Sequence, residues 1–436
     1  NDHSLLSDFN DVVSQYIIEG GAGFVASVYQ DGKPVYVKAA GYANIELAVK
    51  NQSTHIFRIA SLTKQFTAAA ILKLAQENKL NLADDFRHYV KGFGESDSKI
   101  TIAHLLSHTS GLNDFIHLEN RMVMNMDLPI SLEELLNEIK DDPILFPVGE
   151  SAAYSNTGYV LLGKIIEVVS DKSYAQFLQD NFFTPLGMTQ SSVESQNIHV
   201  NRVFGYSMKD KQWQTAKPIN MGWVYSAGAI LSTVDDMAKW FFALSSGKVI
   251  SVGNYQKMIT PTLLNNGEVA GNNLQKFAFG LMEMDLLGHL VIGHTGNING
   301  FNSYAEYYPQ NNSYVVVLAN ADQQQIDAVA IARDLSAVQN ISDRPVFSRI
   351  TQDKKILTEK IGEYTRFGQT VNVAVEGDAL ILSQNSKIIM KLYPMKNNKY
   401  FAQNTLNIYK FSEDIDGQYL AEYLYLSSQA FKHRKQ

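Results

Sequence analysis

No cysteine occurs among the 436 residues. Disulfides, thiolate nucleophiles and cysteine-ligated metals are therefore excluded, while the redox compartment stays open. No apolar run approaches the roughly 18 residues that a membrane-spanning helix needs. Basic residues form no block beyond the tail His433-Arg434-Lys435, and the formal net charge is −7, so nucleic acid is not an expected partner. Long repeats and low-complexity tracts are missing as well. The chain opens at Asn1 without an initiator methionine. Removal of a signal peptide leaves such a start, and so does trimming; the expectation is a periplasmic or secreted protein.

What is present is a soluble globular composition, 45% hydrophobic and 19% charged, at a length that calls for two or three cooperative units. Residues 4–18 read as an amphipathic helix. Gly23–Gln30 and Lys33–Gly41 read as two strands joined by the hairpin signal Asp31-Gly32. A long, largely helical stretch follows, including Leu132–Ile139, Gly158–Val169 and Ala175–Asn181. Strand patterns return at Ala278–Asp285, His289–Gly293, Phe301–Tyr308 and Tyr314–Asn320, before a last helix over about Gln325–Val338. Strands at both ends with helices between predict an α+β fold: one antiparallel sheet drawn from both ends of the region and flanked by helices, with a helical insertion beside it. The pattern breaks at Ser342-Asp343-Arg344-Pro345. Short β-like runs such as Val371–Val375 and Ala379–Ser383 then predict a separate small β domain, a barrel, over 346–436, leaving 1–341 as the first domain.

Chemistry concentrates at Ser61-Leu62-Thr63-Lys64. Three residues apart at the start of a helical pattern, the hydroxyl and the amine share one face, and the amine can influence the hydroxyl proton. Apolar Phe66, Ala69, Ala70, Leu72 and Leu74 carry that helix forward. The same spacing recurs at Ser96/Lys99 and Ser245/Lys248, both in turn-like polar stretches, so spacing alone is weak evidence. A catalytic serine also needs a base, a proton route to the leaving group and donors for an oxyanion. Tyr154-Ser155-Asn156 precedes a helix, and its phenol and amide can face one cleft: Tyr154 to relay the Ser61 proton, Asn156 to bond Lys64 or a substrate amide. In His294-Thr295-Gly296, alternation puts His294 and Gly296 on one face. His294 can offer a donor, Gly296 can admit a substrate backbone, and the Asn297 N–H can join that of Ser61 around an oxyanion.

The order Ser-x-x-Lys, Tyr-Ser-Asn, His-Thr-Gly resembles the penicillin-recognising serine hydrolases: class C β-lactamases, D-alanyl-D-alanine carboxypeptidases, D-aminopeptidases and related esterases. His104-Leu-Leu-Ser-His-Thr-Ser-Gly-Leu112, Phe146-Pro-Val-Gly149, Gly158-Tyr-Val-Leu-Leu-Gly163, Pro185-Leu-Gly-Met188 and Gly228-Ala-Ile-Leu-Ser-Thr233 are similar to that family, and the likeness covers about residues 10–340. It implies Ser61 as acylated nucleophile, Lys64 and Tyr154 as its base pair, and Asn156, His294, Thr295, Gly296 and Asn297 on the substrate side. No metal or other cofactor is implied, and a small molecule or peptide is the expected partner. Lactamases and carboxypeptidases of the family usually carry lysine where this chain has His294. A histidine is neutral over much of the physiological range, which moves the expectation from β-lactams towards an esterase or a peptidase, including one for D-residues. The segment after 346 resembles the lipocalin-like β domains of some D-aminopeptidase-like members, through Ile361-Gly-Glu-Tyr364, Leu392-Tyr-Pro394 and Phe411 with Asp416-Gly417. The competing reading is a catalytically silent relative that binds peptides or cell-wall fragments.

Other features read as structural. His104 and His108, four apart, lack a third metal ligand at informative spacing. Asp84-Asp85 and Asp235-Asp236 flank helical patterns, where capping suits them. Trp223 and Tyr225 are candidates for lining the cleft.

Overall fold

The computed structural model describes residues 2–93, 98–117, 126–272, 275–286, 288–341, 350–366, 369–384, 387–402, 407–423 and 430–436. They form two compact units: Ile17–Met284 with Val291–Ala332, and Asn1–Tyr16, Asp285–Leu290 and Arg333–Gln436. The division is therefore not one cut between 341 and 346, and the Ser342–Pro345 break falls outside the described residues. Three segments distant in sequence are tied together in the second unit. Tyr16 donates its hydroxyl proton to Asp334, and Arg333 Nη1 donates to the Asp285 carbonyl at 2.8 Å.

The main sheet has seven strands: β1 (Phe24–Gln30), β2 (Lys33–Ala40), β3 (Gln275–Phe277), β4 (Met282–Leu286), β5 (His289–Ile298), β6 (Phe301–Tyr308) and β7 (Ser313–Ala319). Their order is β3-β4-β5-β6-β7-β1-β2. β1 pairs antiparallel with both its hairpin partner β2 and the distant β7, with Phe24 opposite Ala319. β7 is buried at every position, as its Val315–Leu318 run suits, whereas the edge strand β2 is mostly exposed and carries Lys33, Pro34 and Lys38. Two expected strands differ. Ala278–Asp285 is broken by a turn in which Ala278 N–H donates to Leu281 O at 3.0 Å, with Gly280 at φ +69°. The expected His289–Gly293 strand runs on to Ile298, so His-Thr-Gly lies within it and not at its end.

The longer helices are α1 (Asp2–Ser14), α2 (Thr63–Gln76), α3 (Asn156–Ser170), α4 (Val234–Ser245) and α5 (Ala328–Asn340), with shorter helices such as Leu132–Ile139 and Tyr174–Leu178. α2 is buried on every side from Thr63 to Leu72. Its polar residues are accordingly paired: Gln65 Oε1 accepts from Trp240 Nε1 at 2.9 Å, and Thr67 Oγ1 donates to Ser226 O at 2.7 Å. Phe66 stacks on Trp240 with centroids 4.0 Å apart, in a core that also takes in Leu161, Leu162, Ile165 and Ile166 of α3. Of the other Ser-x-x-Lys spacings, Ser96 lies outside the described residues. Ser245 closes α4, its Oγ donating to Phe242 O.

In the second unit, eight strands, β8 (Gly362–Arg366), β9 (Gln369–Glu376), β10 (Ala379–Gln384), β11 (Lys387–Met395), β12 (Lys399–Ala402), β13 (Ile408–Asp414), β14 (Gly417–Tyr423) and β15 (Phe431–Lys435), pair in sequence order, and β15 closes the barrel on β8. Leu380, Leu382, Leu392, Tyr364, Tyr400 and Tyr409 are among the residues of its core.

Candidate active site

Ser61 sits in a tight turn, Ala60–Leu62, that runs directly into α2. Ala60 is held at φ +47°, a left-handed conformation that a residue with a Cβ seldom adopts. The turn is anchored from both flanks: Ile59 N–H donates to Ile230 O, and Thr63 Oγ1 accepts from Ile230 N–H, each at 3.1 Å. Lys64, fully buried, then brings Nζ to 3.0 Å from Ser61 Oγ, 2.7 Å from Asn156 Oδ1 and 2.8 Å from Ala227 O. Burial lowers its pKa to about 7 against the opposing pull of the Asp114 carboxylate, so near neutrality the amine is poised between its two forms.

Tyr154 comes from the segment that enters α3, where Ser155 caps the helix by accepting from Gly158 N–H at 3.2 Å and Asn156 is the first helical residue. The Tyr154 hydroxyl bonds to Ser61. Burial dominates nonetheless and raises the phenol's pKa, so the phenol is protonated near neutrality. Asn156 is oriented by Asp114, whose Oδ2 accepts from Asn156 Nδ2 at 2.9 Å and so turns the amide oxygen to Lys64. His108 stacks on the Tyr154 ring at 4.6 Å, and its Nδ1 accepts from Ser155 N–H at 3.1 Å. Asp114 and His108 are the members that reading the sequence missed. Asp114 stands two residues beyond the His104–Leu112 run, and His108 lies within it, where its spacing from His104 suggests only metal ligation.

On β5 the alternation holds, with a consequence opposite to the one expected. Thr295 and Asn297 line the cleft with Ser61, Tyr154 and Asn156; His294 and Gly296 point the other way, beneath it. A Cβ on Gly296 would meet Ile59 O at 2.5 Å and Ser303 Oγ at 2.3 Å. Glycine is thus required so that β5 can lie against the Ser61 turn, and it does not admit a substrate backbone there. His294 is 2% exposed, its ring 5.9 Å from that of Tyr154, and Nδ1 donates to Thr295 O at 2.5 Å. Burial first, and the Lys64 charge second, push its pKa down to about 3, so this histidine is neutral in the physiological range.

The cleft holds about 580 Å³ and has a largely apolar wall that includes Ile116, Met126, Ile219 and Ile298. Trp223 and Tyr225 do not line it. Both turn into the protein, where Trp223 Nε1 donates to Leu128 O at 3.0 Å and the Tyr225 hydroxyl donates to Glu167. The structural readings of His104 and Asp85 fit the contacts found: His104 completes a capping box with Thr101, and Asp85 caps the turn at Phe86. Asp235 and Asp236 do not cap, since they lie inside α4 and Thr233 caps it; Asp236 instead accepts from Ser191 Oγ at 2.9 Å. Among the described residues no group of three or more His, Asp or Glu could hold a metal ion.

The same region matches known proteins. A family model described as Beta-lactamase matches residues 9–339. Penicillin-binding protein 4* of Bacillus subtilis (strain 168) is 26% identical over 398 residues, covering 85% of this chain and 86% of that protein. Protein flp of Staphylococcus aureus (strain N315) is 30% identical over 306 residues, 69% of this chain and 59% of the relative. Among solved structures, the octameric penicillin-binding protein homologue from Pyrococcus abyssi superposes with a TM-score of 0.69 at 26% identity, covering 97% of this chain and 96% of that one. The D-amino acid amidase from Ochrobactrum anthropi SV3, complexed with D-phenylalanine, reaches a TM-score of 0.67 at 22% identity over 77% and 98% of the two chains, a likeness of fold. With three quarters of its length matched by the family model, and with its serine, lysine and tyrosine gathered at one cleft, the chain belongs to the beta-lactamase family of penicillin-recognising serine hydrolases.

Proposed function

We propose that this protein hydrolyses an ester or amide bond through an acyl-enzyme on Ser61. The observation that carries the reading is the environment of Lys64 Nζ: fully buried, with a pKa lowered to about 7 and three oxygens within hydrogen-bond distance. A neutral amine has two N–H groups and one lone pair. Asn156 Oδ1 and Ala227 O can only accept, so they take the two N–H groups and leave the lone pair for the Ser61 hydroxyl. Ser61 Oγ attacks the carbonyl as its proton passes to Lys64. The oxyanion rests on the backbone N–H groups of Ser61 and Asn297. Tyr154, protonated near neutrality, gives its proton to the leaving group and is reprotonated by Lys64. Water then attacks the acyl-enzyme with the same groups acting in reverse, which releases the acid and restores Ser61.

His294 bears on the substrate. A buried neutral imidazole cannot serve as a permanent cation beside the nucleophile, and this favours esters and peptide-type amides over β-lactams. The D-amino acid amidase fold and the fold of EstCE1, a hydrolase with promiscuous acyltransferase activity, are both near neighbours of this chain's fold. The test is labelling with a fluorophosphonate, followed by turnover of p-nitrophenyl esters, D-amino-acid amides and benzylpenicillin. Labelling and turnover should both vanish in Ser61→Ala. A Ser61→Ala protein that kept its activity would sink the reading.

A further inference from the structure

Resting on the hydrolase reading above, the geometry points to Lys217 as the residue that selects substrates carrying a negative charge, a carboxylate on an otherwise apolar acyl or leaving group. Lys217 is exposed on the wall of the Ser61 cleft and is the only charged side chain among the described residues that line it, which include no aspartate or glutamate. Among the described residues its ammonium has no ion pair and no side-chain hydrogen bond, so its charge is available to a ligand.

The backbone beneath it is pinned. Asn299 Nδ2 donates to Lys217 O at 2.9 Å, and Arg58 Nη2 donates to Ile219 O at 3.4 Å. Arg58 itself is matched, since its guanidinium forms a two-pronged pair with Glu194 at 2.8 Å. Among the described residues, Lys217 therefore stands as the unmatched cation of this cleft, on a fixed rim with walls formed by Ile116, Met126, Ile219 and Ile298.

The complementary ligand has an apolar body and one anionic end. A free α-ammonium, as on an unblocked amino-acid amide, meets no carboxylate among the described residues of this cleft and is repelled by Lys217.

The experiment compares two p-nitrophenyl esters of similar size, the neutral pentanoate and the anionic glutarate monoester, on wild type, Lys217→Met and Lys217→Glu, at low and at high salt. Lys217→Met should raise KM for the glutarate about fivefold, with kcat and the pentanoate unchanged, as suits one partly screened charge contact. Lys217→Glu should raise it further, and about 0.5 M salt should shrink both effects. A purely structural role for Lys217 would move both esters together and would not respond to salt. An unchanged ratio of the two esters across the variants, or a wild-type preference for D-phenylalanine p-nitroanilide with its free amine, would overturn the assignment of Lys217 alone. Loss of Ser61-dependent turnover and labelling altogether would overturn the hydrolase reading, and this proposal with it.

Discussion

The barrel and the catalytic unit solve opposite problems. In the barrel every strand pairs with its neighbour in sequence, the interior is leucine, valine and tyrosine, and charged groups such as Arg434, Asp414 and Lys432 pair outside the core. In the catalytic unit β1 must find β7 from the far end of the region, and the interior holds Lys64, His108, Asp114, Asn156 and His294, none more than 8% exposed. A barrel of neighbours can be specified by local turns and alternation. A site of buried ionisable groups needs long-range contacts to supply each hydrogen bond, because an unmatched buried polar group costs about 1–3 kcal/mol. The unit with costlier burial is the one that holds the candidate site.

The largest test of that contrast removes chemistry without touching the fold. Ser61→Ala should lower turnover by on the order of 10⁴ or more, with thermal unfolding little changed; a large fall in melting temperature would mean that Ser61 is structural. Next, a large core side chain lost in either unit should cost stability alike. Phe66→Ala is expected to cost about 3–5 kcal/mol and Leu380→Ala about 2–5 kcal/mol in denaturant unfolding, since both sites are fully buried. Near-zero costs at Leu380 would show the barrel interior to be loosely packed.

A pH profile sharpens the comparison more finely. Activity should rise with pH through about 7 as Lys64 loses its proton. Asp114→Asn removes the negative charge that holds this pKa up, so the acid limb should move to lower pH; an unmoved limb would detach it from Lys64. Stability carries the same sign. Between about 7 and about 10.4 the unfolded chain binds a proton at this lysine that the folded chain does not, so its contribution rises with pH across that window, and the burial penalty is complete below it. The smallest effect belongs to the barrel surface, where Lys391→Ala removes an exposed pair with Glu376 and should leave the melting temperature unchanged within measurement.

What could be read in advance follows from the range of the forces involved. The Asp31-Gly32 hairpin, the turn at Ser61 that leads into α2 and the strands on either side of Glu376-Gly377-Asp378 each depend on a few adjacent residues, and each is found where its local signal lies. The turn at Ala278–Leu281 was hidden in an apolar run in which only Gly280 marks the break. Trp223 and Tyr225 looked like cleft residues because aromatics suit clefts, yet their polar tips found partners in Leu128 and Glu167, far away in sequence. Asp114 could not be singled out, because its task exists only through Asn156 and Lys64 on two other helices.

The sequence by itself determined the local setting of Ser61, the three ordered motifs that mark the family, and the alternation that builds the barrel. Spacing along one helix or strand is enough to place such residues on a common face. Only the tertiary structure decided which face of β5 meets the cleft, that Gly296 makes room for the Ser61 turn, and that His294 is neutral while Lys64 titrates near 7. Those outcomes depend on desolvation and on charges brought together from distant segments, and neither quantity exists until the chain has folded.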